Sequence, residues 1–229
     1  MTDNPKLIIA LPKGRILAEI MPILGAVNIV PEPEFNHDES RKLSFSTNHP
    51  TIDLIRVRSF DVATFVAFGA AHIGVAGADV LEEFRYSEIF APLDLGIGRC
   101  RLSLAEPADL PAGRAATAET LERLSHLRIA SKYPNTTHRF FARRGIQIEP
   151  IKLNGAMELA PKLGLCDQIV DLVSSGATLK ANGLVEVMEL MAITSRLIVN
   201  RTAMKTRPLE MGGWIDSFAA AIAQKSSAA

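Results

Sequence analysis

A run of small and hydroxyl-bearing residues follows an apolar stretch late in the chain, in DLVSSGATLKANG at residues 171–183. Small side chains let successive backbone N–H groups point into one concavity, and a following helix N-terminus adds partial positive charge. The hydroxyls of Ser175 and Thr178 can donate further hydrogen bonds. The pattern is typical of a phosphate-binding loop, whose members would be Ser174, Ser175, Gly176, Ala177 and Thr178.

An acidic residue precedes this loop. Asp171 interrupts the apolar stretch IVDLV and would stand at the carboxyl end of a strand. Its carboxylate could there accept hydrogen bonds from two hydroxyls of a sugar. An ordinary helix N-cap by Ser174 or Ser175 is the structural alternative. The acid placed just ahead of the loop favours a binding site.

Two cations bracket a glycine after the first strand pattern, where Lys13, Gly14 and Arg15 occur in LPKGRI. Ligands of open α/β sheets sit at the carboxyl ends of strands, and two cations there suit a phosphate or pyrophosphate. The segment is not a Walker A loop, and a solvated turn is an equal alternative. Arg41 in ESRKL and Arg58 in RVRSFD also flank strand patterns, although either alone is more simply a surface arginine.

The sequence lacks the residue patterns of several other kinds of active site and metal site. No G-x-S-x-G nucleophile elbow and no G-x-G-x-x-G dinucleotide fingerprint occur in the sequence. The five histidines form no HExxH or close pair, and Cys100 and Cys166 form no CxxC or zinc spacing. The sequence therefore predicts no serine hydrolase, no Rossmann site and no zinc site.

Charge and composition favour a cytoplasmic protein with a sizeable core. Lys plus Arg and Asp plus Glu number 25 each in 229 residues, so no global positive field favours nucleic acid. Hydrophobic residues make up 48%, enough for one large domain or two small ones. The first residues hold no signal-peptide core, and no run approaches the roughly 20 apolar residues of a membrane span. We expect no membrane partner.

Short apolar runs alternate with helical patterns, which predicts an α/β protein. The predicted strands are residues 7–11, 43–46, 52–57, 72–76, 127–131, 146–153, 168–173 and 195–200, with an extended stretch at 93–104. The predicted helices are residues 16–24, 61–71, 78–84, 136–144, 156–163 and 208–223, with one more after SSGAT. Two such series predict two lobes with a cleft between them, and one continuous doubly wound sheet is the alternative.

Taken together, these segments resemble the ATP phosphoribosyltransferase family. DLVSSGATL is similar to that family's loop for phosphoribosyl pyrophosphate (PRPP), and ELAPKLGLCDQIVD at residues 158–171 continues the signature. LPKGRI, SRKL, RSFDVATFVAFGAAHIGVAGADVL and SRLIVN match in family order, from about Leu7 to about Asn200. The chain departs from the family at Ser174, where an acid is usual, at Cys166, where a small residue is usual, and at His72, where Asp is common.

The resemblance implies an α/β, two-lobed fold similar to type II periplasmic binding proteins, with the active site in the interlobe cleft. Lobe I would comprise residues 1–95 and 196–229 and would carry the KGR segment and Arg41. Lobe II would comprise residues 96–195 and would carry the PRPP-binding loop at 171–179. Because little chain follows the last predicted helix, the resemblance is to the short form, without the histidine-binding C-terminal domain of the long form.

The resemblance also implies the reaction, in which N1 of the ATP adenine attacks C1 of PRPP to give phosphoribosyl-ATP and pyrophosphate. Lys13, Arg15 and Arg41 would be the catalytic residues that face the pyrophosphate, with Arg41 acting across a dimer interface. Mg²⁺ would be the cofactor, held by the pyrophosphate, with no side chain assigned as a metal ligand. The resemblance implies that PRPP is bound by Asp171, Ser174, Ser175, Gly176, Ala177 and Thr178. It implies that ATP or the interface is supported by Leu11, Arg58 and Gly77.

Short forms are similar to one another in needing a histidyl-tRNA-synthetase-like regulatory subunit, so the resemblance implies a homodimer of catalytic subunits within a hetero-octamer.

Three other functions are alternatives to this one. A solute-binding protein of the same fold usually needs a signal peptide, and an effector-binding domain of a regulator needs a helix-turn-helix segment. A phosphoribosyltransferase with another substrate stays open, because a PRPP loop alone does not select ATP.

Overall fold

The computed structural model describes residues 6–37, 39–111 and 127–227. The chain divides into two compact units. Unit 1 comprises Met1–Leu81, Arg85–Gly98 and Thr194–Ala229, and unit 2 comprises Glu82–Phe84 and Arg99–Ile193. Within the described ranges, no helix combines the length and the apolar character needed to cross a bilayer.

Unit 1 is built on a six-stranded mixed sheet with the strand order β2-β3-β1-β4-β11-β5. The central strand β1 runs parallel to β3 and β4, whereas β2, β5 and β11 are antiparallel to their neighbours. Its strands are β1 (Leu7–Pro12), β2 (Ser44–Ser46), β3 (Ile52–Val57), β4 (Ile73–Gly77), β5 (Ile89–Asp94) and β11 (Ser195–Asn200). Its helices are α1 (Arg15–Ala26), α2 (Ser59–Ala67), α3 (Ala78–Phe84, which ends in unit 2), α7 (Arg201–Thr206) and α8 (Pro208–Ser227).

Helix α1 continues through Pro22, which the sequence predicts to weaken its middle. The helix buries Ile20, Ile23 and Leu24 against the sheet. Burial of an apolar face contributes more to helical stability in proteins than local propensity does. Tertiary packing therefore offsets the hydrogen bond that proline removes.

Asn200 at the end of SRLIVN joins three elements of unit 1. Its buried side chain accepts a hydrogen bond from the Ala203 N–H at 2.9 Å and so caps α7. Its amide nitrogen donates to the carbonyls of Val66, at 2.8 Å, and Ala67, at 3.3 Å, at the end of α2. These contacts give the terminal Asn of SRLIVN a structural role.

His72 stands just before β4 and accepts a hydrogen bond from the Ile8 N–H through Nδ1 at 3.0 Å. Burial lowers the pKa of the ring, which favours the neutral form that this contact requires. An aspartate could accept the same hydrogen bond. The departure from the family's common Asp at this position therefore retains an acceptor at the edge of the strand.

Unit 2 is built on a five-stranded mixed sheet with the strand order β10-β6-β9-β7-β8. Strand β6 is antiparallel to β10 and β9, and β7 is parallel to β8 and β9. Its strands are β6 (Cys100–Pro107), β7 (Leu127–Ser131), β8 (Ile148–Lys152), β9 (Gln168–Val173) and β10 (Leu184–Ile193). Its helices are α4 (Pro134–Ala142), α5 (Leu159–Lys162) and α6 (Ala177–Ala181).

The two separate sheets show that the alternative of one continuous doubly wound sheet is wrong. Several element predictions also need correction. The helix predicted at 156–163 shortens to the four residues of α5, and the helix predicted at 61–71 lies at Ser59–Ala67. The extended stretch at 93–104 is the end of β5, a connecting segment and the start of β6, and neither β10 nor α7 has a predicted counterpart. The strands at 52–57, 127–131, 168–173 and 195–200 and helix α3 have the predicted bounds.

Candidate functional site

One edge of the unit 1 sheet carries the predicted basic residues. Strands β1 and β3 are parallel and Pro12 lies beside Val57, so Lys13 and Arg58 follow at the carboxyl ends of neighbouring strands. The Lys13 N–H donates to the Val57 carbonyl at 2.9 Å, and both basic side chains are exposed. This edge is where an open α/β sheet binds its ligands.

Arg15 begins α1 directly after Gly14, whose φ of 87° turns the chain from strand to helix. The Arg15 side chain is about half exposed, and its Nε lies 3.5 Å from Glu19 Oε1. The other Glu19 oxygen, Oε2, accepts from the Gly98 N–H at 2.7 Å. Glu19 therefore fixes the side of α1 on which the Arg15 guanidinium lies. Arg15 and Glu19 are four residues apart at the start of a predicted helix, and this spacing would have allowed the ion pair to be predicted from the sequence.

Arg41 lies in an exposed segment three residues before β2. Because β2 is antiparallel to β3 and Ser44 pairs with Ile55, this segment enters the sheet at the same edge as Arg58. Contacts on both sides of Arg41 hold the segment. Ser40 Oγ donates to Glu34 at 2.7 Å, and the Lys42 ammonium pairs with Glu32.

Buried Arg56 on β3 braces the chain ahead of Arg41. Its guanidinium donates to the carbonyls of Phe35 at 2.8 Å and His37 at 3.1 Å. The same guanidinium lies over the rings of Phe35 and Phe45, 5.7 and 5.3 Å from their centroids. Arg56 thus orders the turn from which the Arg41 segment departs, a role that the sequence analysis missed.

Two further predicted site residues, Leu11 and Gly77, lie along this edge. Burial limits the first, and the lack of space for a side chain limits the second. The Leu11 side chain on β1 is fully buried in the core, so only its backbone can face a ligand. Gly77 ends β4, and a Cβ added there would lie 2.0 Å from Asp79 Oδ1. Position 77 therefore accepts only glycine while Asp79 keeps its place in the first turn of α3.

The predicted phosphate loop lies in unit 2, between β9 and α6. It lines a cavity of about 140 Å³. Gly176 has φ 76°, a left-handed conformation that side chains with a Cβ rarely adopt. The lining residues are Glu158, Asp171, Leu172, Val173, Ser174, Ser175, Gly176, Ala177, Thr178 and Leu179.

The backbone of this loop offers hydrogen-bond donors to the cavity. Among the described residues, the N–H groups of Ser175 and Gly176 have no protein acceptor. The N-cap of α6 is Gly176, with no side-chain cap, so the alternative of a serine N-cap is wrong. Because α6 has only five residues, its dipole adds less than a long helix would. The donors themselves make the loop suited to an anion.

Asp171 lies in the interior of β9, two residues before the strand ends, and not at its carboxyl end as predicted. Burial raises the pKa of its carboxyl group, and the charge of nearby Glu158 acts in the same direction. The hydrogen bond from the Leu172 N–H, at 2.8 Å, and the charge of Lys132 oppose that shift. Asp171 and Glu158 both line the loop cavity, and carboxyl groups can accept hydrogen bonds from hydroxyl groups.

The structure thus brings the predicted residues together in two groups. Lys13, Arg15, Arg41, Arg58 and Gly77 share the sheet edge of unit 1, and Asp171 and residues 174–178 form the loop of unit 2. Glu158, Glu19, Arg56 and Lys132 were not predicted as site residues. Glu158 stands in the quoted segment ELAPKL, so its acidic side chain was a signal that the sequence analysis left unused.

Sequence comparison points to one family. The family model of ATP phosphoribosyltransferase, HisG, matches residues 58–223. The ATP phosphoribosyltransferase of Paramagnetospirillum magneticum is 68% identical over 218 residues, covering 95% of this chain and 97% of that protein. The one from Rhodospirillum rubrum is 65% identical over 213 residues, covering 93% and 92%.

Structural comparison points the same way. The chain is similar to one in the ATP phosphoribosyl transferase (HisG:HisZ) complex from Thermotoga maritima, with a TM-score of 0.77, 30% identity and coverage of 95% and 99%. It also resembles the periplasmic aliphatic sulphonate binding protein SsuA from Escherichia coli, with a TM-score of 0.57, 16% identity and coverage of 98% and 71%. The second likeness shows a periplasmic-binding-protein-like fold alone.

Proposed function

Because the chain belongs to the ATP phosphoribosyltransferase family of histidine biosynthesis, we propose that it condenses ATP with PRPP as follows. N1 of the adenine attacks C1 of the PRPP ribose, and pyrophosphate leaves. The observation that carries the proposal is the loop of residues 174–178, whose Ser175 and Gly176 N–H groups lack a protein acceptor among the described residues. The loop lines a cavity that Asp171 and Glu158 also line.

The loop would bind the 5′-phosphate of PRPP. A phosphate oxygen supplies the acceptors that the Ser175 and Gly176 N–H groups lack, and the exposed hydroxyl of Thr178 can donate as well. Ser174 and Ala177 complete the backbone of the cradle. Small side chains matter here because a larger one would occupy the space of the phosphate.

Asp171 and Glu158 would hold the ribose hydroxyls. Both line the loop cavity, and a carboxylate accepts from two hydroxyls of a diol. Binding by these two groups would orient C1 for attack, so that the reaction gains from positioning. Because positive charge develops on C1 and the ring oxygen as pyrophosphate leaves, nearby carboxylates would also favour the transition state.

The basic edge of unit 1 would receive the pyrophosphate. Lys13, Arg15 and Arg41 are exposed cations that end or flank strands of one sheet edge. They would stabilise the negative charge that grows on the leaving group. Arg58, with Gly77 and the backbone at Leu11, would support ATP or a dimer interface, across which Arg41 would act.

Magnesium is the proposed cofactor. Mg²⁺ typically takes one or two carboxylates together with substrate phosphates and water, and the carboxylates of Asp171 and Glu158 are oxygen donors of that kind. No group of three metal-ligating side chains occurs within the described ranges, so we propose that pyrophosphate oxygens supply most of the ligands. When bound, the ion would neutralise part of the pyrophosphate charge.

No general base is required by this reaction, because N1 of adenine carries a lone pair and no proton. The residues of this chain need only bind, orient and neutralise charge. That requirement matches the backbone donors and two acids of unit 2 and the exposed cations of unit 1, none of which is an activated nucleophile.

The reaction is tested by incubating the purified chain with ATP, PRPP, Mg²⁺ and pyrophosphatase. We expect an ultraviolet-absorbing adduct that forms only when both substrates are present. Guanosine triphosphate in place of ATP serves as the control for the base. A folded chain that binds PRPP and modifies another nitrogenous base, but not ATP, would show that the acceptor is assigned wrongly.

We also propose a partner. The similar chain from Thermotoga maritima comes from a HisG:HisZ complex and is covered to 99%, which supports a histidyl-tRNA-synthetase-like HisZ subunit here, in a hetero-octamer built on homodimers of the catalytic chain. The cytoplasm is the proposed compartment, because ATP and PRPP are made there.

Histidine should inhibit the isolated chain weakly and the complex with its partner strongly. Allosteric inhibition requires a second binding site coupled to the first, and we assign that site to the partner. The measurement is an initial-rate titration with histidine, with and without the partner, after light scattering has shown that the complex forms. Strong inhibition of the isolated chain, non-competitive with PRPP, would assign the regulatory site to this chain instead.

A further inference from the structure

Arg101 of unit 2, which is paired with Glu186, contacts the first residue of the phosphate loop. Arg101 on β6 donates from Nε and Nη2 to the two carboxylate oxygens of Glu186 on β10, each at 2.5 Å. Ser103 Oγ donates to the same carboxylate at 2.8 Å. The remaining Arg101 nitrogen, Nη1, donates to the backbone carbonyl of Ser174 at 3.3 Å. The guanidinium therefore links β6, β10 and the first residue of the loop.

This geometry leaves the guanidinium little freedom. A two-point contact between guanidinium and carboxylate fixes the plane of the arginine fork. The hydrogen bond from Arg101 lowers the pKa of the Glu186 carboxyl, so the acid stays ionised and the pair stays intact at neutral pH. Nη1 is thus held in place to donate to the Ser174 carbonyl.

Holding that carbonyl also directs the next N–H group. The peptide bond between Ser174 and Ser175 is planar and trans, so its C=O and N–H point in opposite directions. With the Ser174 oxygen turned toward Arg101, the Ser175 N–H points away from it. Among the described residues this N–H has no protein acceptor, and Ser175 is one of the residues that line the loop cavity.

We propose that Arg101 and Glu186 are positioning residues for PRPP, which hold the Ser174–Ser175 peptide so that its N–H faces the 5′-phosphate. The inference rests on the proposed role of the loop. It assigns a binding function to two side chains that touch no substrate themselves. Neither residue belongs to the phosphate-binding segment or to the basic edge of unit 1.

A purely structural role is the alternative. Strands β6 and β10 already pair along eight residue partners from Leu184 to Ile193. The pair is therefore not needed to join the strands, although it lies beside a bulge between Glu186 and Met188. The two roles differ in what they affect, because a structural pair changes stability and a positioning pair changes PRPP affinity.

The test compares Arg101→Gln, Arg101→Lys and Glu186→Gln with Glu189→Gln as the matched control. Glu189 lies on the same strand, is exposed, and acts on Arg101 only through its charge. We expect Arg101→Gln to raise the KM and the Kd for PRPP about tenfold, or about 1.4 kcal/mol. We expect the KM for ATP and the melting temperature to change little. Arg101→Lys, which keeps the charge but loses the fork, should recover only part of the affinity.

Three outcomes overturn the inference. One is an unchanged Kd for PRPP in Arg101→Gln. Another is a parallel change in both KM values together with a fall in melting temperature, which would indicate a structural pair. The third is an equal effect of Glu189→Gln, which would indicate charge alone. Calorimetry of the wild-type chain separates this inference from the proposed role of the loop. A wild-type chain that does not bind PRPP overturns both. If the wild-type chain binds PRPP and the Arg101 and Glu186 variants bind it equally well, only this inference is overturned.

Discussion

Gly176→Val should reduce PRPP affinity by about 100-fold or more while the chain still folds. A Cβ at this position would meet no atom closer than Val173 Cγ1 at 4.0 Å. The added side chain would therefore fill the loop cavity and not clash with the core. The substitution should also destabilise the folded chain, because a φ of 76° costs a residue with a Cβ roughly 1–2 kcal/mol of free energy. The measurement is PRPP binding by calorimetry, with circular dichroism to monitor folding.

Two further variants separate the occupied cavity from the strained backbone. Gly145→Val places the same side chain at a glycine of unit 2 with φ 73° and open space around it, outside the loop. It should cost stability and leave PRPP affinity unchanged. Gly176→Asn adds a side chain that tolerates this φ and should still weaken PRPP binding. A folded Gly176→Val chain with wild-type affinity would show that the loop is not the phosphate site.

Arg15→Ala and Arg41→Ala should each lower kcat by about 10²–10³, and should change KM much less. The pyrophosphate gains negative charge as its bond to C1 breaks, so a cation that contacts it stabilises the transition state more than the bound substrate. Removal of one such donor typically costs about 2.7–4 kcal/mol. Both side chains are exposed on braced segments, Arg15 beside Glu19 and Arg41 between Ser40 and Lys42.

The control for these variants is Arg143→Ala, which removes an exposed arginine at the end of α4. It should leave kcat and both KM values unchanged. The measurement is steady-state kinetics at saturating Mg²⁺, because low metal would make the arginines seem more important. Wild-type kcat in both Arg15→Ala and Arg41→Ala would remove these residues from the leaving-group role.

The element that sequence reasoning missed most clearly is β10. Its ten residues, LVEVMELMAI, show neither clean alternation nor a clean helical period. The strand lies at the sheet edge, only its two terminal residues are buried, and two irregularities interrupt its pairing with β6. Such an edge strand has no continuous buried face to impose a period of two. Its partner residues are also 77 to 93 positions away in sequence, so no local pattern marks the pairing.

The length of helix α5 was predicted wrongly for a related reason. Residues 156–163 have helical spacing of apolar residues, yet Ala156 has φ 53° and the regular helix holds only Leu159–Lys162. The left-handed residue starts a turn that places Glu158 at the loop cavity. A backbone conformation of that kind costs free energy locally and persists because surrounding contacts require it.

The sequence by itself determined the α/β class, most buried strands, the loop between β9 and α6 and the basic residues at strand ends, and the family matches agree with the enzyme class it indicated. These are local properties, because apolar periodicity, turn glycines and residue types are readable within a few positions. Only the tertiary structure decided that two sheets form, that Glu158 joins Asp171 and that Arg101 reaches Ser174. Such contacts join residues 13 to 73 positions apart, and they depend on strand order and register, which short-range pattern does not encode.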